Sequence, residues 1–324
     1  MKKNIKYPSL DKVRVELTST SFWKAESHKD LVAECQEVCN DANIDFGVQI
    51  HNMASEKEVE DLLKLQVPLS FHAPNLSKYQ MNLASDSFEY ALDSFEKTVK
   101  LIRDIKKRNT PYNDDYNIAV FHGFNMTDLP IECFTDVESF YRVMQNSYRE
   151  EYSLPNTTVC TDFFNTDEFI MRQQRVVERQ HILIEKYPDI EFVIENDLPI
   201  YSAGNLLAKC FKNYPMNFCL DSSHLWFSAF LYGKDFIEET EKFLKTNQVK
   251  MVHLHASKYT KNNPIKEWSD GHLPLTTDCE MPVKEFAIKC LKYGVKHFVL
   301  EVRHGRKSDI MQFVKYLREY EKYQ

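Results

Sequence analysis

The sequence predicts a single (β/α)8 TIM barrel over residues 1–324, and three observations lead there. Eight short apolar runs, rich in β-branched or aromatic residues, alternate with helix-patterned segments along the chain. Several of these runs are continuously apolar rather than alternating, as strands buried on both faces are. Glycine is scarce, at 7 of 324 residues or about 2% against a usual ~7%, so a fold of many hairpins would lack its turn residues.

Taken in order, the strands are Val13–Thr18, Phe46–His51, Pro68–His72 and Asn117–His122. Ile190–Glu195, Met216–Asp221, Lys250–His253 and His297–Glu301 complete the set. The clearest helix is Asp86–Lys107, where Phe88, Leu92, Phe95, Val99 and Ile102 fall on one face. Another has Pro282 just inside its start and Gly294 past its end, with Val283, Phe286, Ala287, Cys290 and Leu291 on its apolar stripe. The last helix, Ser308–Glu321, turns Ile310, Phe313, Val314 and Leu317 inward. Eight βα units need roughly 250 residues. The surplus falls in two long βα loops, Gly123–Asp167 after the fourth strand and Ala256–Glu280 after the seventh. Barrel enzymes build their sites on that side. No linker or low-complexity tract interrupts the pattern, so one domain is expected.

Composition narrows the function classes. Hydrophobic residues are 43% of the chain, charged residues 27% and aromatics 13%, the profile of a soluble globular protein. No apolar run approaches the ~18 residues of a bilayer span. The start, MKKNIKYPSLDK, is basic without a following apolar stretch, so neither a membrane span nor a secretory signal is expected. The eight cysteines are scattered without a CxxC pair and read as buried thiols of a reducing cytosol, which makes a cytoplasmic location the expectation. GxGxxG and the P-loop pattern are both missing, so no nucleotide cofactor is expected. A formal net charge of −7 gives no global basic footprint, and any contact with nucleic acid has to be local.

The chemistry collects at the strand ends. Strand three ends at His72, strand four at His122, strand five at Glu195 and strand six at Asp221, with His224 three residues on. Strand seven carries His253 and His255, strand eight Glu301, and the loop after strand seven Asp270 and His272. His, Asp and Glu fill only 59 of 324 positions, so one at each of six consecutive strand ends is not a chance distribution. Those ends converge on one face of a barrel. So many carboxylates in one bowl repel one another unless cations neutralise them. A mixed imidazole and carboxylate set suits zinc, manganese or ferrous iron. His224 is expected on a loop just beyond its strand. His51 and His255 read as hydrogen-bonded core residues, and His28, His181, His297 and His304 as ordinary. Cys219 and Cys290 sit at core positions without a redox role, and most of the 22 Phe and 17 Tyr read as packing.

With these residues the sequence resembles the endonuclease IV family, the AP-endonuclease branch of the xylose-isomerase-like barrels. The resemblance runs from the first strand to the last. It implies a first zinc on His72, His122 and Glu195, and a second on Glu195, Asp221, His253 and Glu301. A third would sit on His224, Asp270 and His272. Glu195, Asp221 and Glu301 are then the expected catalytic carboxylates. The family's Tyr-x-x-Asn-Leu matches Tyr79-Gln80-Met81-Asn82-Leu83. Tyr79, Lys258 and Arg303 are accordingly the expected substrate contacts, with Lys78, Arg306 and Lys307 as further cations for a DNA backbone. The implied activity is a hydrolase of DNA repair that cleaves 5′ to abasic sites with two or three Zn2+ ions, Mn2+ or Fe2+ being possible replacements.

The sequence departs from that family in reading His122-Gly123-Phe124 after strand four and Asp270-Gly271-His272 after strand seven. Its fourth βα loop is long and carries Tyr141, Arg142, Tyr148, Arg149 and Tyr152. The alternative is the sugar (phosphate) isomerase and epimerase branch of the same superfamily, which shares Glu195, Asp221, His253 and Glu301. Where that branch often has a second acid and an arginine, this sequence has Tyr201 and Tyr259. His72, His122, Asp270 and His272 exceed what a single ion needs and favour the hydrolase. A barrel retained only as a binding scaffold would have lost ligands, and none of the nine is lost.

Overall fold

The computed structural model describes residues 9–108 and 117–322. Eight parallel strands close into a barrel in chain order: β1 (Arg14–Thr18), β2 (Asp45–Ile50), β3 (Leu69–Ala73), β4 (Ile118–Phe121), β5 (Glu191–Glu195), β6 (Asn217–Asp221), β7 (Val249–His253) and β8 (His297–Leu300). β8 pairs back onto β1, Arg14 opposite His297, so no sheet edge is left open. Each observed strand lies within one residue of the apolar run that predicts it. The helices are α1 (His28–Asp41), α2 (Glu56–Leu63), α3 (Glu89–Arg108), α4 (Val137–Met144), α5 (Asp167–Lys186), α6 (Ser222–Leu231), α7 (Phe236–Leu244), α8 (Val283–Lys292) and α9 (Lys307–Glu321). Among the described residues no helix is long and apolar enough to cross a membrane. All eight cysteines are free thiols.

The period of two along each strand divides the core. Ile118, Val120, Val193, Cys219, Met251 and Val299 pack together inside the barrel. Their neighbours Ala119, Phe121, Phe192, Ile194, Phe218, Leu220, Phe298 and Leu300 join the larger core under the helices. Phe95 of α3 is fully buried there, edge-on to Phe121 and Phe192 with ring centroids 5.0 Å away.

One expectation needs correction. The helix predicted from Asp86 begins at Glu89. The Asp86 N–H donates to Asp128 at 2.6 Å and its carbonyl accepts from Arg179 at 2.7 Å, so the backbone there belongs to the loop. The segment Gly123–Asp167 is the expected long βα connection after the fourth strand; it contains α4 and is tied down at both ends. Asn82 donates to the carbonyls of Asn125 (3.1 Å) and Thr127 (3.0 Å) and accepts from the Asn125 N–H (3.0 Å). Arg149 holds the other end to Glu168, at 3.1 Å.

The β1–β3 side of the barrel interior is polar. Glu16 is fully buried, and Arg14, Ser70 and His297 converge on its carboxylate. Burial alone would raise this carboxyl, but Arg14 and His297 outweigh burial and bring it down to about 2. Glu16→Gln strands the Arg14 charge and should cost about 3–5 kcal/mol, read as a lower urea midpoint. The folded-state carboxyl titrates below its unfolded value. Its contribution is therefore complete above pH ~4.5 and lost as pH falls toward about 2, so the wild type should lose more stability across that window than Glu16→Gln.

Candidate metal centre

The parallel register delivers the carboxyl ends of all eight strands to one mouth. Glu195, the last residue of β5, is fully buried. Its Oε1 lies 2.8 Å from His253 Nδ1 at the end of β7. Its Oε2 faces His72 Nε2 at 3.4 Å and His122 Nε2 at 3.6 Å. Glu301, just past β8, has Oε2 3.2 Å from His253 Nδ1. Asp221 closes β6 and caps α6, its Oδ1 accepting from the His224 N–H at 2.7 Å. This cap starts the helix directly at the strand end, so His224 sits in the first turn of α6 rather than on the expected loop. Asp270 Oδ2 then meets His224 Nε2 at 3.0 Å and His272 Nε2 at 2.7 Å.

Four ligand-type groups emerge, each with its atoms within 4.8 Å of one another: His72, Glu195 and His253; Glu195, Asp221, His253 and Glu301; His255, Asp270 and His272; and Asp221, His224 and Asp270. His122 stands at the rim of the first, with 24% of its side chain exposed. His272 completes the last through Asp270.

Hydrogen-bond polarity assigns roles to the imidazoles. A carbonyl oxygen only accepts, so a ring nitrogen facing one carries the proton, and in the neutral ring the other nitrogen is left with a lone pair. His224 Nδ1 faces the Asn196 carbonyl at 2.9 Å, His272 Nδ1 that of Glu301 at 2.8 Å and His72 Nδ1 that of Ala73 at 3.3 Å. In each, Nε2 is the free nitrogen and points at a carboxylate of the cluster. His51 and His255 show the opposite polarity. The Met53 N–H donates to His51 Nδ1 at 3.2 Å and the His272 N–H to His255 Nδ1 at 2.7 Å. Both are hydrogen-bonded buried residues, but they border the cluster rather than the general core.

The cluster fits divalent cations. Glu195 Oε2 is buried without a hydrogen-bond partner, aimed between two imidazole nitrogens, and His253 Nε2 also lacks one, while His122 Nδ1 faces Asp197 Oδ1 at 3.5 Å. The electrostatics agree. Burial alone would lower the His272 imidazole, yet the facing Asp270 carboxylate overrides it and pushes it up to about 10. His224 is likewise driven well above its ordinary value against burial by Asp221 and Asp270. His72 goes the other way, held well below by burial and thus left neutral. The ligand chemistry is that of a mixed nitrogen and oxygen set for zinc-like ions.

The expected substrate contacts lie outside the cluster. Tyr79 is half-buried, edge-on to Tyr90 at 4.7 Å. Lys258 and Arg303 are exposed on the rim, and the Arg303 N–H donates to the His272 carbonyl at 3.1 Å. Arg306 and Lys307 are committed elsewhere: Arg306 to the Ser21 carbonyl at 3.2 Å, Lys307 to Glu37 at 3.1 Å. Sequence reasoning missed Asn196, whose side chain accepts from the Asp221 N–H at 2.7 Å and donates to its carbonyl at 3.1 Å. Its only signal was adjacency to Glu195. Both glycine departures have steric causes. A Cβ on Gly271 would collide with the Ala256 carbonyl, and one on Gly123 would lie 2.8 Å from Ile194 and Phe121.

No family model and no curated relative matches the chain. Among solved structures it is similar to a D-tagatose 3-epimerase-like protein, at 15% identity over 95% of this chain and 97% of that one, TM-score 0.54. It is similar also to 3-keto-D-glucoside 4-epimerase from E. coli, at 9% identity over 96% of this chain and 100% of that one, TM-score 0.51. Endonuclease IV from Thermus thermophilus matches at 14% identity over 96% of this chain and 100% of that one, TM-score 0.48. At such low identity these likenesses show the fold alone, a single closed (β/α)8 barrel.

Since the Asp270 carboxylate pushes the His272 imidazole up to about 10, an ion taking its Nε2 has to displace a proton at neutral pH. Zinc affinity should therefore rise with pH between about 6 and 8. Calorimetry in buffers of different ionisation enthalpy should count at least one proton released; zero release would contradict this assignment.

Proposed function

We propose that the chain is a metal-dependent phosphate-ester hydrolase, acting on DNA 5′ to abasic sites with two or three divalent ions, zinc first among them. One observation carries the reading. The two oxygens of Glu195 face different ligand sets, His253 on one side and His72 with His122 on the other, while His224, Asp270 and His272 form a further set. That is more ligands than the usual four of a single zinc.

Divalent cations held there would supply a water acidified to a pKa of about 7 and positive charge beside a phosphate. Glu195 spans two subsites and sets their separation. Asp221 and Glu301 hold the inner side, closed to bulk water. The partly exposed His122, Asp270 and His272 mark the side from which a substrate enters. Hydrolysis adds the water oxygen to phosphorus and breaks the P–O3′ bond, leaving a 3′-hydroxyl and a 5′ deoxyribose phosphate. Charge favours this substrate class. Three dications outweigh the carboxylates Glu195, Asp221, Asp270 and Glu301 and attract a phosphodiester. Lys258 and Arg303 on the rim are the cations available to flanking phosphates.

A second reading, a sugar or sugar-phosphate epimerase, is favoured by the Glu195, Asp221, His253 and Glu301 group, which can close around one ion by itself. Against it, Tyr201 is buried with its hydroxyl accepting from Gln145 at 3.4 Å, and the Tyr259 hydroxyl is paired with Ser269 at 2.8 Å. Neither offers the acid or cation that such chemistry would place there.

Elemental analysis of purified protein should find two or three zinc, manganese or iron ions per chain. An oligonucleotide with one tetrahydrofuran abasic site should be nicked on its 5′ side. Glu195→Gln should lower nicking beyond the roughly 10–100-fold cost of an outer-sphere partner while the melt stays cooperative. A single ion with turnover of sugars alone would replace this reading with the epimerase.

A further inference from the structure

His255 is fully buried between two of the proposed ion subsites, and every polar atom it owns is engaged. Its Nδ1 accepts from the His272 N–H at 2.7 Å. A backbone amide can only donate, so the ring proton sits on Nε2, which then donates to Asp221 Oδ2 at 2.8 Å. The ring is stacked on that of His272, centroids 4.7 Å apart and planes at 15°. Its own backbone is pinned as well: the His255 N–H donates to Ser222 Oγ at 3.1 Å, and Ser222 Oγ donates to its carbonyl at 3.0 Å. Ser222 directly follows Asp221. His272, in turn, is held at φ 44°, a left-handed conformation a non-glycine residue keeps only when its surroundings enforce it.

We infer that His255 is a positioning residue, not an ion ligand: its imidazole ties the Asp221 carboxylate to the main chain of His272 and so fixes one ion subsite relative to the other. Asp270 Oδ1 lies 3.7 Å from Nε2, so proximity alone would admit His255 as a ligand beside Asp270 and His272. The polarity excludes it. Ligation through Nε2 with Nδ1 still accepting from an amide would require a doubly deprotonated ring and would remove the donor from Asp221. With the proton on Nε2, one side chain satisfies a buried carboxylate oxygen and a buried amide together, and neither has another side-chain partner of the same polarity. This rests on the multi-ion reading of the site and adds to it that the subsite of Glu195 and Glu301 and that of Asp270 are mechanically coupled.

The test compares wild type, His255→Ala and His255→Gln, read by zinc stoichiometry and affinity in equilibrium dialysis and by the visible spectrum of the cobalt-loaded proteins. Glutamine keeps a donor for Asp221 and an acceptor for the His272 amide but has no imidazole. The expected result is that His255→Ala holds one ion more weakly by about 10–100-fold, with a changed cobalt spectrum, and that His255→Gln restores both toward wild type. Wild-type stoichiometry and affinity in His255→Ala overturn the inference and leave the multi-ion reading intact. Equal loss in Ala and Gln variants that both melt cooperatively overturns it in favour of direct ligation. If His255→Ala does not fold, His255→Gln decides alone, wild-type loading supporting the inference and a lost ion ending it. A wild type that binds a single ion ends the multi-ion reading itself, whatever the variants do.

Discussion

Four carboxylates crowd the mouth of this barrel, and Glu195, Asp221 and Glu301 are buried outright. Like charge at that density and depth costs several kcal/mol per ion unless positive charge is brought in with it. Without metal, protons on the histidines can supply it. Burial alone would lower the His224 and His272 imidazoles, yet the facing Asp221 and Asp270 carboxylates push both well above their ordinary value. His72 obeys burial and stays neutral. A protonated cluster of this kind is a place where cations can exchange for protons. The loops, caps and second-layer contacts around it keep that exchange from collapsing the mouth.

The barrel makes the cluster possible by geometry alone. Parallel register puts residues separated by a hundred positions or more at one level, and the inner row of each strand aims them at a common axis. The tuning is done by backbone groups. Carbonyls of Ala73, Asn196 and Glu301 fix His72, His224 and His272 with their outer nitrogens free, and amides of Met53 and His272 fix His51 and His255 the other way round. In their neutral form, five histidines of one chemical type thereby divide into three that offer a lone pair and two that offer a proton. Steric detail preserves the arrangement: Gly271 admits the close approach of the Ala256 carbonyl that lets the Asp270 and His272 segment fold back over the mouth.

Much of this is legible in the sequence, because the strand pattern and the strand-end residues are local features. The eight runs locate the strands to within one residue, since most of these buried parallel strands are near-continuously apolar. The strand-end acids and histidines identify themselves by position. What is not legible is whatever depends on hydrogen-bond direction or on long-range contact. His255 looks like a core histidine because nothing in VHLHAS says which of its nitrogens meets an amide. His224 looks like a loop residue because the cap that starts α6 is the Asp221 side chain itself. Asn82 reads as part of a tyrosine motif, while its contacts make it the anchor of the segment after β4. Arg306 and Lys307 read as cations free for a polyanion, and their partners lie at the far end of the chain, at Ser21 and Glu37.

The proposed metal centre can be seen directly by anomalous diffraction at the zinc absorption edge, from crystals equilibrated with zinc. Peaks between Glu195 and the His72 and His122 pair, among Glu195, Asp221, His253 and Glu301, and between His224, Asp270 and His272 are the expected result. A map with one peak confined to the second of these positions, or with none at the barrel mouth, contradicts it.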